Sequence, residues 1–383
     1  GQMDLVSKDF RLPKIFRASL AIDKKLKDNW SITVEGSFSK NINEIYYRRL
    51  DINPPVARLS GPDNRYIYDL KRIGYPAGSG ITAGSNPYTG VFLLENQPYY
   101  RRSGFAYNFT ASIDKSWTDG FSFNAFYTYG SSFVTHEPTS SQNNSQWRFM
   151  ETVNGRNDVQ RSRSDFDLGH RVSAFIAKKF TYAKGALAST FSLVYNGQSG
   201  NPFSYVYATG PVRDQGTSES NDLIFIPTAD QIKAMTFVTN SSFPLSPAQQ
   251  AGALENYIAQ DNYLSKNRGK YAERNGARLP FTNIVDVKFV QDFNVKIYNK
   301  KYQFQLTYDV FNFTNMLNRN WGRTYFMSND QTSLIKYQGA TGSTVPSYSF
   351  APVANNTPWG ISSSTAPSYS ARWVSQLGLR FKF

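Results

Sequence analysis

The chain has 383 residues, of which 40% are hydrophobic, 16% aromatic and only 18% charged, and it carries a formal net charge of +14 at pH 7. No stretch approaches the roughly 18 to 20 consecutive apolar residues that a membrane-spanning helix needs, and the absence of cysteine excludes a disulfide framework or a cysteine-ligated metal site. Lysine and arginine are dispersed, so the positive charge favours a basic channel wall or attraction to anionic lipid head groups over binding of nucleic acid.

Alternation of apolar and polar residues near the start of the chain predicts two β-strands, each with one apolar face. The first covers residues 16–22 and the second residues 30–39, and the short charged connection between them is typical of a hairpin turn. Residues 1–14 are polar and predict the end of a loop. We expect the second strand to extend through Tyr46 and Arg48.

Seven more strands follow, and the connections along the chain are alternately short and long. These strands are predicted at residues 105–114, 121–129, 168–180, 186–196, 284–293, 302–311 and 373–383. The long connections are predicted as large loops at about 41–103, 131–165, 197–280 and 314–371. An outer-membrane barrel requires this alternation, because its short turns face the periplasm and its long loops face outside. The sequence therefore predicts an all-β fold, an antiparallel transmembrane β-barrel.

One helix is predicted inside the third long loop. Ser246 suits the N-cap, Pro247 suits the first helical position, and Gln249 stands where the partner in a capping box belongs. Apolar side chains then recur at helical spacing at Ala251, Leu254, Tyr257 and Ile258.

The last predicted strand has an apolar face that ends in an aromatic residue at the chain terminus. Its pattern of Gln376, Gly378, Phe381 and Phe383 resembles the C-terminal signal by which outer-membrane proteins are recognised by the barrel-assembly machinery. A final aromatic residue is typical of the girdle that lies at the membrane interface of such barrels.

Nine strands are not expected to form a complete barrel. Bacterial single-chain barrels have an even number of strands, and an open sheet leaves unpaired backbone groups in hydrocarbon, where each costs several kcal/mol. The first ten residues also lack a secretion signal. We therefore expect further strands from upstream sequence or from another chain.

Several segments together resemble the Oar-type TonB-dependent receptors, which contain a carboxypeptidase-regulatory-like domain. These segments are residues 11–17, 200–205, 221–227, 274–280 and 309–315. The resemblance implies a 22-stranded barrel closed by a plug, of which this chain supplies the nine C-terminal strands. The plug, the energy-coupling segment and the regulatory-like domain are not recognisable in this sequence, so transport is implied for the complete receptor.

The resemblance also implies a set of partners and a location. The location is the cell outer membrane. The partners are outer-membrane lipid and lipopolysaccharide, the plug and upstream strands of the same protein, the TonB complex acting through that plug, the barrel-assembly machinery and a surface lipoprotein, with no nucleic acid among them. No cofactor is predicted.

Two loop segments place aromatic residues beside basic ones and are candidate substrate contacts, since aromatic rings can stack on sugars or grip peptide. They consist of Arg65, Tyr66 and Tyr68, and of Tyr99, Tyr100, Arg101 and Arg102. Packing inside the loops or in the interfacial girdle is the alternative role for these aromatic residues.

A charged cluster stands where the second long loop enters the fifth strand. Its candidate residues are Arg163, Asp165, Asp167 and Arg171, with Arg161 and His170 beside them. They predict either a contact to substrate or plug, or an ion-paired wall of the lumen, and we favour the wall. Asp114, Asp286 and Asp309 fall on polar strand faces, where lining the lumen explains them without catalysis.

Neither an enzyme nor a metal site is predicted. The two histidines, His136 and His170, are far apart in sequence, and neither stands in a nucleophile-elbow context. Asn221 and Asp222 suggest calcium, but a hard cation needs about six oxygen ligands, which the sequence does not supply nearby.

The leading hypothesis is a TonB-dependent outer-membrane transporter whose four long loops capture an unidentified substrate. One alternative is a barrel used for adhesion or assembly, which needs no plug. A second is a soluble β-rich carbohydrate-binding protein, which predicts a packed apolar core in place of an apolar belt.

Overall fold

One large antiparallel sheet organises the structure, a computed structural model that describes residues 2–68, 90–137, 139–214, 221–298, 300–339, 343–353, 356–361 and 371–383. Nine strands follow one another through this sheet in chain order. They are β1 (Lys14–Lys25), β2 (Trp30–Asn43), β3 (Phe105–Ser116), β4 (Phe121–Val134), β5 (Gly169–Tyr182), β6 (Leu187–Gln198), β7 (Thr282–Ile297), β8 (Lys300–Phe311) and β9 (Val374–Lys382). The nine predicted strands are confirmed, and each pairs with its neighbours in sequence.

The register of the strands collects the apolar side chains on one face of the sheet. Leu193 of β6, for example, lies between Ile176 of β5 and Val287 of β7. Side chains on this face are exposed even when they are large, as at Leu20 (74%) and Leu379 (85%). We call this surface the apolar face. Such exposure suits contact with hydrocarbon, since water-exposed apolar patches of this extent are rare on soluble monomers.

The opposite face of the sheet is polar and carries hydrogen bonds between neighbouring strands. Lys288 Nζ donates to Asp309 at 2.7 Å, and Asn124 donates to Asp114. Asp286 accepts from the backbone N–H of Asn312 at 2.7 Å. The three aspartates noted in the sequence are therefore satisfied by neighbours on this polar face, in agreement with the lining role.

The two edge strands differ from the seven between them. All twelve residues of β1 are exposed, and so are all residues of β9 except Gly378. Within the described residues, the outer edges of β1 and β9 have no partner strand, and the sheet is not closed.

Short turns join the strands at one end of the sheet. Between β3 and β4, Gly120 adopts a φ of 84°, a conformation that glycine reaches without steric cost. Between β1 and β2, Asp28 and Asn29 adopt φ values of 57° and 58°, which Asp and Asn tolerate better than most residues. The predicted tight turns are therefore confirmed.

Apart from one helix, the long connections contain regular structure that the sequence does not predict. They are the first loop (residues 44–104), the second (135–168), the third (199–281) and the fourth (312–373). Their helices are α1 (Asn143–Arg148), α2 (Ala229–Ala234), α3 (Pro247–Gln260) and α4 (Phe313–Leu317). Short strands in or beside them are Gln2–Val6, Ile45–Arg49, Ala57–Arg58, Tyr66–Ile67, Gly90–Asn96, Ser162–Arg163, Pro202–Thr209, Phe225–Ile226, Lys270–Tyr271, Ala277–Arg278, Tyr325–Phe326, Gln331–Tyr337, Tyr348–Ser349 and Gly360–Ile361.

Helix α3 is the predicted helix, and its start is confirmed. The Ser246 backbone N–H donates to Gln249 Oε1 at 2.9 Å, and the Gln249 backbone N–H donates to Ser246 Oγ at 3.3 Å. Leu254, Tyr257 and Ile258 are buried, so the apolar stripe of the helix packs inward as predicted.

Two predictions about the start of the chain are wrong. Strand β2 ends at Asn43, and Ile45–Arg49, which contains Tyr46 and Arg48, pairs with Gly90–Asn96 in a separate sheet. Gln2–Val6 forms a parallel strand on the other edge of Gly90–Asn96, so residues 1–14 are not simply the end of a loop. The buried carboxylate of Glu44 accepts from the backbone of Gly104 and Thr135, which holds the chain where it leaves β2.

The packed apolar core lies in the loops, away from the large sheet. Its buried residues come from the first, third and fourth loops and include Leu59, Ile67, Phe203, Tyr205, Tyr207, Ile224, Ile226, Leu254, Tyr257, Ile258, Ile335, Tyr348 and Phe350. We call these interlocked segments, together with the second loop, the loop assembly. Within the described residues, no helix is long and apolar enough to cross a membrane.

Candidate functional site

Arg65, a predicted substrate contact, is an interior residue of the loop assembly. Its Nε donates to Asp63 at 2.7 Å, a terminal nitrogen donates to the carbonyl of Leu223 at 2.7 Å, and the guanidinium lies 5.0 Å from the Tyr207 ring centroid. Its exposed fraction is 0%. In this conformation Arg65 joins the first loop to the third and does not reach an outside ligand.

The aromatic neighbours of Arg65 are also engaged within the loops. Tyr66 is half-buried, with the Arg58 guanidinium 3.9 Å from its ring centroid. Tyr68 donates to the carbonyl of Asn154 at 3.2 Å. Burial raises the pKa of Tyr68 to about 12, so its hydroxyl stays protonated and serves as a donor at neutral pH.

A second buried ion pair lies beside Asp222, the residue for which calcium was considered. Arg156 and Asp214 form this pair, and the backbone N–H of Val212 donates to Asp222 at 2.8 Å. Burial raises the pKa of Asp222 to about 6, with the cations Arg156 and Arg65 acting in the opposite direction. The two nearby positive charges disfavour binding of Ca²⁺ at Asp222. Among the described residues, no group of three or more acidic or histidine side chains could hold a metal ion.

A segment of the third loop, which we call the latch segment (Arg274–Arg278), fastens the loop assembly to the outer end of the sheet. Arg274 donates to the backbone carbonyls of Val134 and Thr135, each at 2.8 Å. Asn275 donates to Asp165 Oδ1 at 2.6 Å. These contacts give the latch segment a structural role. It lies within one of the stretches that carry the family resemblance, residues 274–280.

The predicted charged cluster is partly assembled by the latch segment. Asp167 is buried, pairs with Arg163 at 2.9 Å and with Arg278, and accepts from Ser131 Oγ at 2.7 Å. Ser131 and Arg163 lie on the apolar-face side, in register with Tyr107 and Phe133. The cluster therefore lies at the outer rim of that face and not in the lumen wall.

Arg171 does not join this cluster. It is exposed on the polar face of β5, in register with Thr128 and Gln198. Its position suits a lumen-lining residue, as the sequence predicts for the group as a whole.

A cavity of about 570 Å³ opens between the second loop, the third loop and the outer ends of β3 and β4. Its walls include Phe105, Phe133, Glu151, Arg161 and Arg274. Burial raises the pKa of Glu151 to about 7, and the positive charge of Arg274 opposes this. The cavity thus combines aromatic walls, fixed cations and a carboxyl group that titrates near neutral pH.

The second predicted aromatic segment is at the surface next to this cavity. Tyr99 and Tyr100 are 60% and 58% exposed. The Arg102 guanidinium lies 4.9 Å from the Tyr99 ring centroid, and Lys40 Nζ lies 4.9 Å from that of Tyr100. Arg101 is also exposed. Of the two candidate segments, this one is available to a ligand.

Three residues at this end of the molecule were not singled out as site residues by sequence reasoning. Lys40 lies on the apolar face next to Phe105. A lysine at an apolar-face position interrupts the alternation of β2, and this interruption can be seen in the sequence. Glu151 and Arg274 have no such signal, because long-range contacts place them in the cavity wall.

The last strand lies in the sheet as its alternation predicts. Phe381 is paired with Phe304 of β8, with 4.6 Å between ring centroids, and Phe383 is 96% exposed. Gln376 and Gly378 lie on the polar face. Recognition of these four residues by the assembly machinery stays a prediction.

The comparison with known families agrees with this architecture. The family model described as outer membrane beta barrel domain matches residues 1–345. No curated protein matches the sequence. The apolar face therefore contacts lipid, the location is the outer membrane, and a soluble carbohydrate-binding protein is excluded. With its nine-stranded meander, exposed apolar face and folded outer loops, this chain belongs to the outer membrane β-barrel domain family.

Proposed function

We propose that this chain is part of an energy-coupled transporter of the TonB-dependent type, similar to the Oar-like receptors. The observation that carries the proposal is the loop assembly. Loops that extend from one end of the sheet share one packed core, and a cavity of about 570 Å³ lies beside it. A preformed concave surface above a barrel is suited to ligand capture.

The open edges of β1 and β9 support a larger barrel. A sheet edge in hydrocarbon leaves unpaired backbone groups, so membrane sheets are closed. We propose that further strands cover both edges and complete a 22-stranded barrel, a size whose lumen needs a plug. The polar face, with pairs such as Lys288 and Asp309, would then face the plug.

The proposal assigns binding and transport to the protein, and no catalysis. Its partners would be the TonB complex, which acts on the plug from the periplasm, the barrel-assembly machinery and a surface lipoprotein above the loops. The exposed segment Tyr99–Arg102 is the candidate for first contact with the cargo, since aromatic and basic groups together bind sugars and peptides.

The test is to purify the complete protein from outer membranes in mild detergent and to measure binding of the purified periplasmic domain of TonB. We expect stoichiometric binding, together with a plug segment found by mass analysis within the same particle. A plugless barrel that does not bind TonB would contradict transport and support the adhesion or assembly alternative. The control for non-specific binding is a different outer-membrane barrel that has no plug, purified from the same membranes.

A further inference from the structure

Five basic residues gather at the outer rim of the apolar face, around the ends of β2, β3 and β4. We call them the rim cluster: Lys40, Arg101, Arg102, Arg161 and Arg163. The side chain of Lys40 in β2 lies on the apolar face, because Lys40 pairs in register with Phe105. Arg163 is likewise in register with Phe133 of β4. The cluster therefore faces the lipid side of the wall.

Two members of the rim cluster converge on a single backbone oxygen. Lys40 Nζ donates to the carbonyl of Ser103 at 2.6 Å, and Arg161 donates to the same oxygen at 3.3 Å and to the carbonyl of Arg101 at 2.7 Å. Like charges brought this close repel each other unless an anion lies between them. The arrangement therefore favours binding of an anion.

The carboxylates near the rim cluster are already engaged. Asp158 pairs with Arg102 at 2.9 Å, and Asp167 pairs with Arg163 at 2.9 Å. Glu44 accepts the backbone N–H groups of Gly104 and Thr135. Within the described residues, Lys40 and Arg161 have no carboxylate partner closer than 4.0 Å. Glu44 attracts Lys40 electrostatically without forming an ion pair with it, so Lys40 and Arg161 can still form ion pairs with an anionic ligand.

Aromatic residues place the rim cluster at the height of lipid head groups. The Arg161 guanidinium lies 4.9 Å from the Phe105 ring centroid, and that of Arg163 lies 5.7 Å from the Phe133 centroid. Tyr107 and Tyr129 form the next pair of rings along the face, 6.2 Å apart. Aromatic girdles mark the membrane–water interfaces of outer-membrane barrels. The cations thus lie just above the outer interface.

We propose that the rim cluster binds the phosphate of a phosphorylated glycolipid in the outer leaflet, with the lipid chains lying on the apolar face below. Arginine and lysine form short, charge-assisted hydrogen bonds to phosphate oxygens. The adjacent cavity, lined by Arg161, Asn154 and Gln160, would receive sugar hydroxyls of the head group. Asp158 and Glu151 also line this cavity, which favours a neutral sugar over a second phosphate there. The proposal depends on outer-membrane location and not on transport.

The test compares the double variant Lys40→Gln, Arg161→Gln with the matched double variant Lys25→Gln, Arg171→Gln. The control removes the same charge from exposed residues on the polar face. Each complete protein is purified in mild detergent and titrated with vesicles containing phosphorylated outer-membrane glycolipid, with its dephosphorylated form, or with inorganic phosphate alone.

We expect wild type and the control variant to bind the phosphorylated glycolipid, and the rim variant to bind about tenfold or more weakly, since two contacts to a charged group are lost. The conservative double variant Lys40→Arg, Arg161→Lys, which keeps both charges, should bind like wild type. Heat-modified migration on gels checks that every variant is folded. Equal binding by the rim and control variants would overturn the proposal. Equal binding of the dephosphorylated lipid, or saturation by inorganic phosphate alone at the same concentration, would also overturn it.

Discussion

His136 is a titratable side chain that is buried in its neutral form. It is 3% exposed, and its ring packs edge-on against Tyr46 and Tyr47. Neither ring nitrogen has a hydrogen-bond partner among the residues that the structure describes. Burial and then the charge of Arg274 lower its pKa to about 3. The unfolded chain binds a proton below about pH 6.5, whereas the folded chain does not, so stability is lost as pH falls from 6.5 towards 3.

Replacing His136 by phenylalanine should remove this acid sensitivity. Between pH 7.5 and pH 5 we expect the loss of unfolding free energy to shrink by an amount on the order of 2 kcal/mol. Urea titrations of the detergent-solubilised protein at both pH values measure this change. His170→Phe is the control, because His170 is exposed. An unchanged pH dependence in His136→Phe would contradict the buried, neutral state.

Glu151 makes the stability depend on pH in the opposite direction to His136. Its folded pKa of about 7 lies above the ordinary glutamate value of 4.5. The stability that this difference in pKa contributes is therefore fully present below pH 4.5 and is lost as pH rises through 7. Glu151→Gln should therefore be more stable than wild type at pH 8, by an amount on the order of 1 kcal/mol because the side chain is half-buried, and similar to it at pH 4.5. Glu273→Gln, on the same cavity but exposed, should show no such gain in the same titrations.

At the scale of elements, helix α3 contains a glycine that its surroundings do not require. A Cβ at Gly252 would meet no atom of the described part of the chain within 4 Å, and alanine is the better helix former. Gly252→Ala should raise the unfolding free energy of the loop assembly by about 0.5 to 1 kcal/mol. Limited proteolysis of the third loop in urea measures this, with slower cleavage expected.

Gly200→Ala is the contrasting substitution in the same loop. A Cβ there would meet the backbone carbonyl of Leu279, which cannot rotate away. This variant should speed cleavage of the third loop. If both variants behaved alike, the contacts that distinguish the two glycines would not describe the folded loop.

At the scale of the whole molecule, the two faces of the sheet should respond differently to charge. Leu193 lies on the apolar face and Ser192, its neighbour in β6, on the polar face. Leu193→Arg should destabilise the membrane-inserted barrel by about 2 to 4 kcal/mol, while Ser192→Arg should cost much less. Folding in lipid vesicles, followed by urea titration, measures both. Equal costs would contradict the assignment of the apolar face to lipid.

The strands, their order and their faces are determined by the sequence alone. Alternation is a local property, so Leu193 and Ser192 can be assigned to opposite faces without any tertiary contact. The start of α3 is equally local, because Ser246 and Gln249 cap it within one turn. Sequence alone could therefore predict the wall of the barrel and this helix.

The loop assembly and the candidate site are decided by tertiary structure. Arg65 and Arg102 stand in similar aromatic, basic segments, yet Arg65 is enclosed by Asp63 and Leu223 while Arg102 lies at the rim. Arg274 reaches a carbonyl 139 residues away in the chain. Contacts of this kind depend on how distant segments pack together, and no local pattern encodes that packing. The buried ion pairs could therefore not be predicted from the sequence. Four arginines of the rim cluster were candidate residues, but their assembly with Lys40 could not be predicted either.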